Sequence, residues 1–281
     1  RDKSYKVLLV DTVLAVFLFL RGSEKLRTLF ECSLPFTTVS PYSSAGGNLP
    51  DEMFFGRRNE MRRIETRSPD GACFVYGGRQ IGKTVLLKKV ARDFAATSKK
   101  QLSLYLDLNS YAVGTETSMD DVWRIMSEEL HRKDESIFGA KINRQMSPKN
   151  FRESVQAWLA QDDERRILIL LDEADAMLTA DGSSEVDGQQ FRLLHQLKGL
   201  MDDTDRRFKV VFAGLHNVQR TTREPNNPLV QLGSPICVRP LMHNGEAKEA
   251  FRLVAEPLRV CGAAIEQLES TVNSMLARTN Y

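Results

Sequence analysis

Cysteine is sparse and scattered: Cys32, Cys73, Cys237 and Cys261 form no close pair, so neither a zinc knuckle nor a redox CxxC can be assembled from local spacing. A reduced, cytoplasmic compartment is the economical reading. Long apolar runs are missing as well. Residues 7–20, VLLVDTVLAVFLFL, carry Asp11 in their interior and fall short of the roughly 20 apolar residues a membrane span needs. The adjoining RGSEKLR is no signal-cleavage site, so this stretch reads as a buried helix and no membrane partner is expected. The 17 glycines and 10 prolines are ordinary for a globular chain, which excludes collagen-like, mucin-like and wholly disordered classes. An excess of one charge sign is absent too, with 39 basic against 37 acidic side chains and a formal net charge of +2. That balance argues against bulk polyanion binding and leaves only a local basic surface open. His131, His195, His216 and His243 stand alone and read as surface or core histidines, not metal ligands.

What is present suffices for a core without staples: 281 residues, 42% of them apolar. Residues 1–36 read as helical, and PFTTVSPYSSAGGNLPDE, rich in Pro, Gly and Ser, reads as a linker. From Met53 onward short apolar runs alternate with amphipathic stretches, the βαβ pattern of an α/β fold with a parallel sheet. Strands are expected at 73–76, 102–108, 166–171, 208–213 and 236–239, each short, apolar and bounded by turn or charged residues. Ser118 with Asp121 three residues later predicts a capping box, followed by Val122, Ile125, Met126 and Leu130 on one helical face. Ser147-Pro148 predicts a second helix start, and Phe191, Leu194, Leu197, Leu200 and Met201 mark a third helix. No internal repeat is visible. Because the chain opens on Arg1 and stops at Tyr281 straight after an apolar helical pattern, it is expected to be a piece of a longer protein.

The chemistry concentrates in two places. After the run CFVY comes Gly77-Gly78-Arg79-Gln80-Ile81-Gly82-Lys83-Thr84, which fits GxxxxGK[ST] and runs into the helical pattern VLLKKVARDF. Glycines let backbone N–H groups curl around phosphate oxygens, and the helix start adds its positive dipole end. Lys83 would reach the β and γ phosphates of ATP, and the Thr84 hydroxyl would ligate Mg²⁺. The second place is Ile167-Leu168-Ile169-Leu170-Leu171-Asp172-Glu173. An apolar strand ending in adjacent carboxylates is costly unless they meet a cation or water, and the carboxyl ends of strands are where α/β sheets place ligands. Asp172 would order the Mg²⁺, and Glu173 would polarise the attacking water.

These motifs, in this order, resemble those of P-loop ATPases of the AAA+ and STAND type, near the archaeal and bacterial ATPases related to origin-recognition initiators. Phe54-Phe55-Gly56-Arg57-Arg58-Asn59-Glu60 resembles the GR-x-x-E box that opens these domains near the adenine, which brings Phe55, Gly56 and Arg57 into the candidate nucleotide site. Tyr76 to Thr84 resembles their YGxRQxGKT loop, and Leu171-Asp172-Glu173-Ala174-Asp175 their Walker B. Phe212-Ala213-Gly214-Leu215-His216-Asn217 resembles the strand carrying sensor 1, with Asn217 sensing the γ-phosphate. Pro235-Ile236-Cys237-Val238-Arg239-Pro240-Leu241 resembles the last core strand, before a helical lid. The resemblance implies a three-layer αβα core at 51–240 with a five-stranded parallel sheet in the order 5-1-4-3-2. A lid would begin at 241–281 and be incomplete there; 1–50 is an upstream helical segment and linker.

Two departures stand out. Clamp-loader-like relatives carry an arginine finger just before the last strand, where this chain has Gly233-Ser234; Arg220 and Arg223 are substitutes by position only, or solvent-facing loop arginines. No second sensor arginine is assignable in the lid. The resemblance implies Mg²⁺-dependent ATP hydrolysis driving a conformational or assembly switch, with self-association or further domains as partners. STAND relatives extend the analogy to bacterial signalling and antiviral defence. An ATP-locked interaction module with little turnover is the alternative. The string Asp172-Glu173-Ala174-Asp175 spells the DEAD of a helicase family, but the AxTGSGKT loop, the Ser-Ala-Thr motif and the second domain of that family are missing. Arg57, Arg58, Arg62, Arg63 and Arg67 at helical spacing form either a basic stripe for nucleic acid or a solvated helix face kept company by Glu60 and Glu65.

Overall fold

The apolar runs pair as a parallel sheet. The computed structural model describes residues 10–20, 25, 29, 49, 54–68, 71–139, 142, 146–183, 190–214, 232–241, 247–260 and 267–279. The chain divides into two compact units, one spanning Gly56–Ala247 and one made of Arg1–Phe55 and Lys248–Asn280.

In the first unit the strands are β1 (Phe74–Tyr76), β2 (Gln101–Asp107), β3 (Arg166–Asp172), β4 (Phe208–Gly214) and β5 (Ile236–Cys237). They lie in the order β2-β3-β4-β1-β5, every pair parallel, which is the expected 5-1-4-3-2 read from the other edge. Six of the seven residues of β3 and all seven of β4 are buried, as strands covered on both faces must be. β5 is shorter than expected. It meets β1 at two pairs only, Val75 with Ile236 and Tyr76 with Cys237, and Pro240 comes soon after with no N–H to extend the ladder.

The helices of this unit are α2 (Arg58–Glu65), α3 (Lys83–Thr97), α4 (Asp121–Lys133), α5 (Pro148–Leu159), α6 (Asp175–Gly182) and α7 (Arg192–Asp203). The Ser147 hydroxyl accepts from Asn150 N–H at 3.1 Å, with Pro148 in the first turn, as the sequence pattern requires. The capping box expected from Ser118 does not form: Ser118 bonds Asp120 N–H instead, and α4 starts three residues later without a side-chain cap. α7 is capped from a distance. Its N-cap, Phe191, is left-handed (φ 59) and has no side-chain acceptor, so the buried Asp181 carboxylate at the end of α6 takes the N–H groups of Leu193 and Leu194, both at 3.0 Å. Between helices and sheet, Phe151 sits among Trp123, Phe138 and Phe208 with ring centroids 5.2, 5.6 and 6.0 Å away.

A positive charge is buried at the amino end of the central strand: Lys209, the second residue of β4, is 1% exposed. Its Nζ donates to the carbonyls of Ile64 (2.6 Å), Thr66 (2.8 Å) and Arg63 (3.4 Å), satisfying the end of α2. Arg166 on β3 bonds the Glu65 carbonyl beside it and lays its guanidinium 4.9 Å from the Phe94 ring.

In the second unit, α1 spans Thr12–Leu20, α8 Ala247–Val260 and α9 Leu268–Thr279. The expectation of a buried helix at 7–20 is not met. α1 is started by Asp11, whose carboxylate accepts from Leu14 N–H at 2.7 Å, but it buries none of its residues, and Phe19 is 79% exposed. With apolar residues on all sides it has no polar face to turn outward, so the pattern that marks a core helix ends here as open surface. Among the described residues no helix is long and apolar enough to cross a membrane. On α9 the apolar spacing does sort: Val272 and Leu276 are buried while Met275 is exposed.

Burial brings the Lys209 ammonium down to about 8 from the ordinary 10.5; Cys73 opposes the shift and the charges of Arg206, Arg166 and Arg63 add to it. Above pH 8 the unfolded chain holds this proton and the folded chain does not, so stability rises with pH up to the unfolded value. In urea denaturation, wild type should therefore gain about 2 kcal/mol relative to Lys209→Met between pH 8 and pH 10. A difference that stays flat across that range contradicts this account of Lys209.

Candidate functional site

β1 ends at Tyr76 and hands the chain to the glycine loop. A Cβ on Gly77 would stand 2.6 Å from the Val238 carbonyl, so only glycine lets the loop pass the end of β5. Gly82 is left-handed (φ 93), as is Gln80 (φ 59), and these two turns swing the chain into α3. α3 starts without a side-chain cap, which leaves its first N–H groups to the loop and to whatever the loop encloses. Cβ atoms on Gly78 and Gly82 would meet nothing within 4 Å, so the loop keeps open room around two of its glycines. Lys83, the first residue of α3, is 6% exposed and turns back into the loop, donating to the carbonyls of Gly77 (2.9 Å) and Gly78 (2.8 Å).

Facing the loop is the carboxyl end of β3. Asp172, 1% exposed, accepts three hydrogen bonds: the Thr84 hydroxyl at 2.7 Å and the Tyr105 hydroxyl at 3.0 Å on Oδ2, and the Glu173 N–H at 3.0 Å on Oδ1. The Thr84 bond joins residues 88 positions apart and closes the glycine loop on the acidic strand end. Glu173 is left-handed (φ 53), a conformation that costs a non-glycine residue about 1 kcal/mol. Ala174 N–H bonds the Ala213 carbonyl at 2.8 Å and so holds the turn. Partial burial, then the Asp172 charge beside it, raises the Glu173 carboxyl above the ordinary range, while Lys83 pulls the other way. Asp107 ends β2 in register with Asp172 and accepts from Asn109 N–H and Ser110 hydroxyl. A Cβ on Gly214 would stand 2.7 Å from the Asp175 carboxylate, so β4 ends flush against the acidic turn.

Arg57 is no part of an exposed stripe. It is 8% exposed, bonds Glu60 at 3.3 Å and reaches the carbonyl of Ile81 in the loop at 3.5 Å, while Arg62 bonds Asn59 and Arg63 the Ser234 carbonyl. Gly56 precedes it with φ 69. Phe55 is buried in the other unit, with the Arg252 guanidinium 5.5 Å from its ring. Arg79 is exposed on the loop and Ile81 partly buried. Asn217, Arg220 and Arg223 lie outside the described residues.

The structure thus brings the glycine loop, Lys83, Thr84, Asp172 and Glu173 to one end of the sheet. It also brings in Tyr105, which sequence motifs do not flag. A phenol in a buried strand needs a partner for its hydroxyl, and that was the available signal. Burial, then Asp172, pushes the Tyr105 hydroxyl far above its ordinary value, so it stays a donor. Thr84 Oγ1 and the Asp172 carboxylate are hard oxygen donors of the kind Mg²⁺ takes alongside phosphate oxygens and water. A buried ammonium, free loop space and an uncapped helix start suit a polyphosphate.

The AAA domain family matches residues 66–221. No curated protein matches the chain. Among solved structures, the Aeropyrum pernix ORC2 protein in its ADPNP-ADP complexes aligns with TM-score 0.52 at 16% identity, over 80% of this chain and 55% of that one. The Aeropyrum pernix ORC1 protein in complex with DNA aligns with TM-score 0.45 at 17% identity, over 82% of this chain and 58% of that one. AMPPCP-bound DnaA from Aquifex aeolicus aligns at 0.42 and 17%, over 79% and 56%. The first of these likenesses shows a shared fold, and the chain spans little more than half the length of each protein.

Gly77→Ala should lower stability by about 2 kcal/mol, because the new methyl meets backbone and not a side chain that can turn away. Chemical denaturation measures it; a loss below about 0.5 kcal/mol, the order of magnitude of harmless substitutions, means the loop does not pass β5 at this distance.

Proposed function

The chain belongs to the AAA domain family, the AAA+ ATPases, and from that premise we propose that it binds ATP with Mg²⁺ and hydrolyses it to drive a conformational or assembly switch in a larger protein. The observation that carries this reading is the Thr84–Asp172 hydrogen bond at 2.7 Å, which joins a phosphate-type loop to an acidic strand end. Residues 51–240 form the ATPase core in this proposal and 241–281 the beginning of a helical lid, with Gly56 and Arg57 on the adenine side.

Binding starts with an exchange of partners. Lys83 leaves the Gly77 and Gly78 carbonyls for the β and γ phosphate oxygens, trading two neutral acceptors for anionic ones whose charge adds to the attraction. The N–H groups of the loop from Gly78 to Thr84 cradle the phosphates. Thr84 and Asp172 would hold the Mg²⁺, whose charge would offset that of the phosphate oxygens. Glu173 orients a water in line with the γ-phosphorus and draws its proton as the bond to ADP breaks. Asn217 reports the presence of the γ-phosphate. The arginine that would stabilise the leaving charge comes from Arg220, Arg223 or a neighbouring subunit, an effect worth about 10³–10⁵ in rate. The same arrangement without turnover gives an ATP-locked interaction module. By analogy with STAND relatives, the switch serves bacterial signalling or defence.

Lys83→Ala should weaken binding of a fluorescent ATP analogue about 100-fold, and Glu173→Gln should keep binding while phosphate release falls about 10²–10⁴-fold. Equal affinity in Lys83→Ala and wild type refutes the phosphate assignment. For the switch, solution mass should rise with ATP, with turnover indifferent to DNA and RNA; a monomer whose turnover is stimulated by nucleic acid points instead to a translocase.

A further inference from the structure

Ser103, Tyr105 and Asp107 occupy alternate positions of β2 and therefore share one face. The Ser103 hydroxyl donates to the Ala91 carbonyl of α3 at 2.6 Å, which sets that face toward the helix that carries Lys83 and Thr84. Lys88, one turn further along α3, holds its Nζ 5.2 Å from the Tyr105 ring centroid. Tyr105 pairs in register with Leu170 on β3, and its hydroxyl reaches Asp172, two residues further along that strand. The contact is 3.0 Å, on the same Oδ2 that takes the Thr84 hydroxyl.

We infer that Tyr105 is a positioning residue that sets the divalent-cation requirement of the site by holding the Asp172 carboxylate in place. The inference rests on the proposed function and adds to it. With Thr84 on Oδ2 alone, the carboxylate is pinned at one oxygen by a side chain that must also turn a lone pair to the metal. The Glu173 N–H on Oδ1 comes from a left-handed turn that has its own task. Tyr105 is the donor that comes from neither machinery segment, carried by a strand with seven consecutive register pairs to β3. It fixes the plane of the carboxylate, so Asp172 meets the cation and its water shell without a reorientation cost. Loss of such an outer partner lowers metal affinity about 10–100-fold in comparable sites. Nucleotide contacts made by the loop and Lys83 do not involve Tyr105.

The test uses the 281-residue chain and a fluorescent ATP analogue, titrated with Mg²⁺ from an EDTA-buffered start. In Tyr105→Phe the Mg²⁺ concentration for half-maximal tightening of nucleotide should rise by about tenfold or more. Affinity in EDTA and the melting temperature of the nucleotide-free protein should stay within twofold and a few degrees of wild type, because the ring and its contact with Lys88 remain. A Lys88→Met control, which removes the cation above the ring but leaves the hydroxyl, should leave the Mg²⁺ midpoint in place. An unchanged midpoint in Tyr105→Phe overturns the inference while leaving the ATP reading intact. So does an equal weakening with and without Mg²⁺, or a midpoint moved as far by Lys88→Met. If wild type binds no nucleotide with or without Mg²⁺, both fall together.

Discussion

A carboxylate that is 1% exposed at the end of an apolar strand is the constraint around which this protein is arranged. Left alone, the Asp172 charge would cost several kcal/mol to bury. It is tolerable because three donors from three segments converge on it: the start of α3, the middle of β2 and the backbone of its own turn. Each donor fixes something else. Thr84 fixes the glycine loop, Tyr105 fixes the edge strand, and the Glu173 N–H fixes the left-handed turn that redirects the chain into α6. The parallel register of β2, β3 and β4 is then the arrangement that lets all three arrive.

The opposite end of the sheet solves the reverse problem. There the buried charge is positive, and its partners are carbonyls, not hydroxyls: Lys209 reaches the last turn of α2 while Arg166 takes the adjacent Glu65 carbonyl. Lys100, just before the neighbouring strand β2, pairs with Asp162 and Glu164 at 2.8 Å each. The two most deeply buried charged side chains of the sheet, Asp172 and Lys209, thus lie at its carboxyl and amino ends respectively, a contrast hidden in a net charge of +2. The overall balance excluded a basic coat, and it said nothing of this internal polarity.

Much of this was legible in the residues because it depends on short-range chemistry. The strands announced themselves as apolar runs, GGRQIGKT as a loop before a helix, and Ser147-Pro148 as a helix start. What was not legible depends on partners far away in sequence. Ser118 closes a turn on Asp120 N–H, and the helix begins only at Asp121, one residue beyond that bond. The run at 7–20 looked like core because hydropathy reports what a residue prefers, not whether anything arrives to cover it. Tyr105 carries no motif, and its importance appears only when β2 lies beside β3. Arg57 looked like surface because charge is assumed to be solvated; a partner at Glu60 and the Ile81 carbonyl bury it.

The plug at the end of α2 also has a bearing on time. α2 is eight residues long, too short to hold on its own in water, and its terminal carbonyls are satisfied by a side chain 145 positions further along the chain. During synthesis that lysine emerges after Ile64 by on the order of ten seconds. For that interval the carbonyls of Ile64 and Thr66 lack the partner that the folded protein gives them, so the end of the helix flanking the glycine loop is completed only once β4 has emerged.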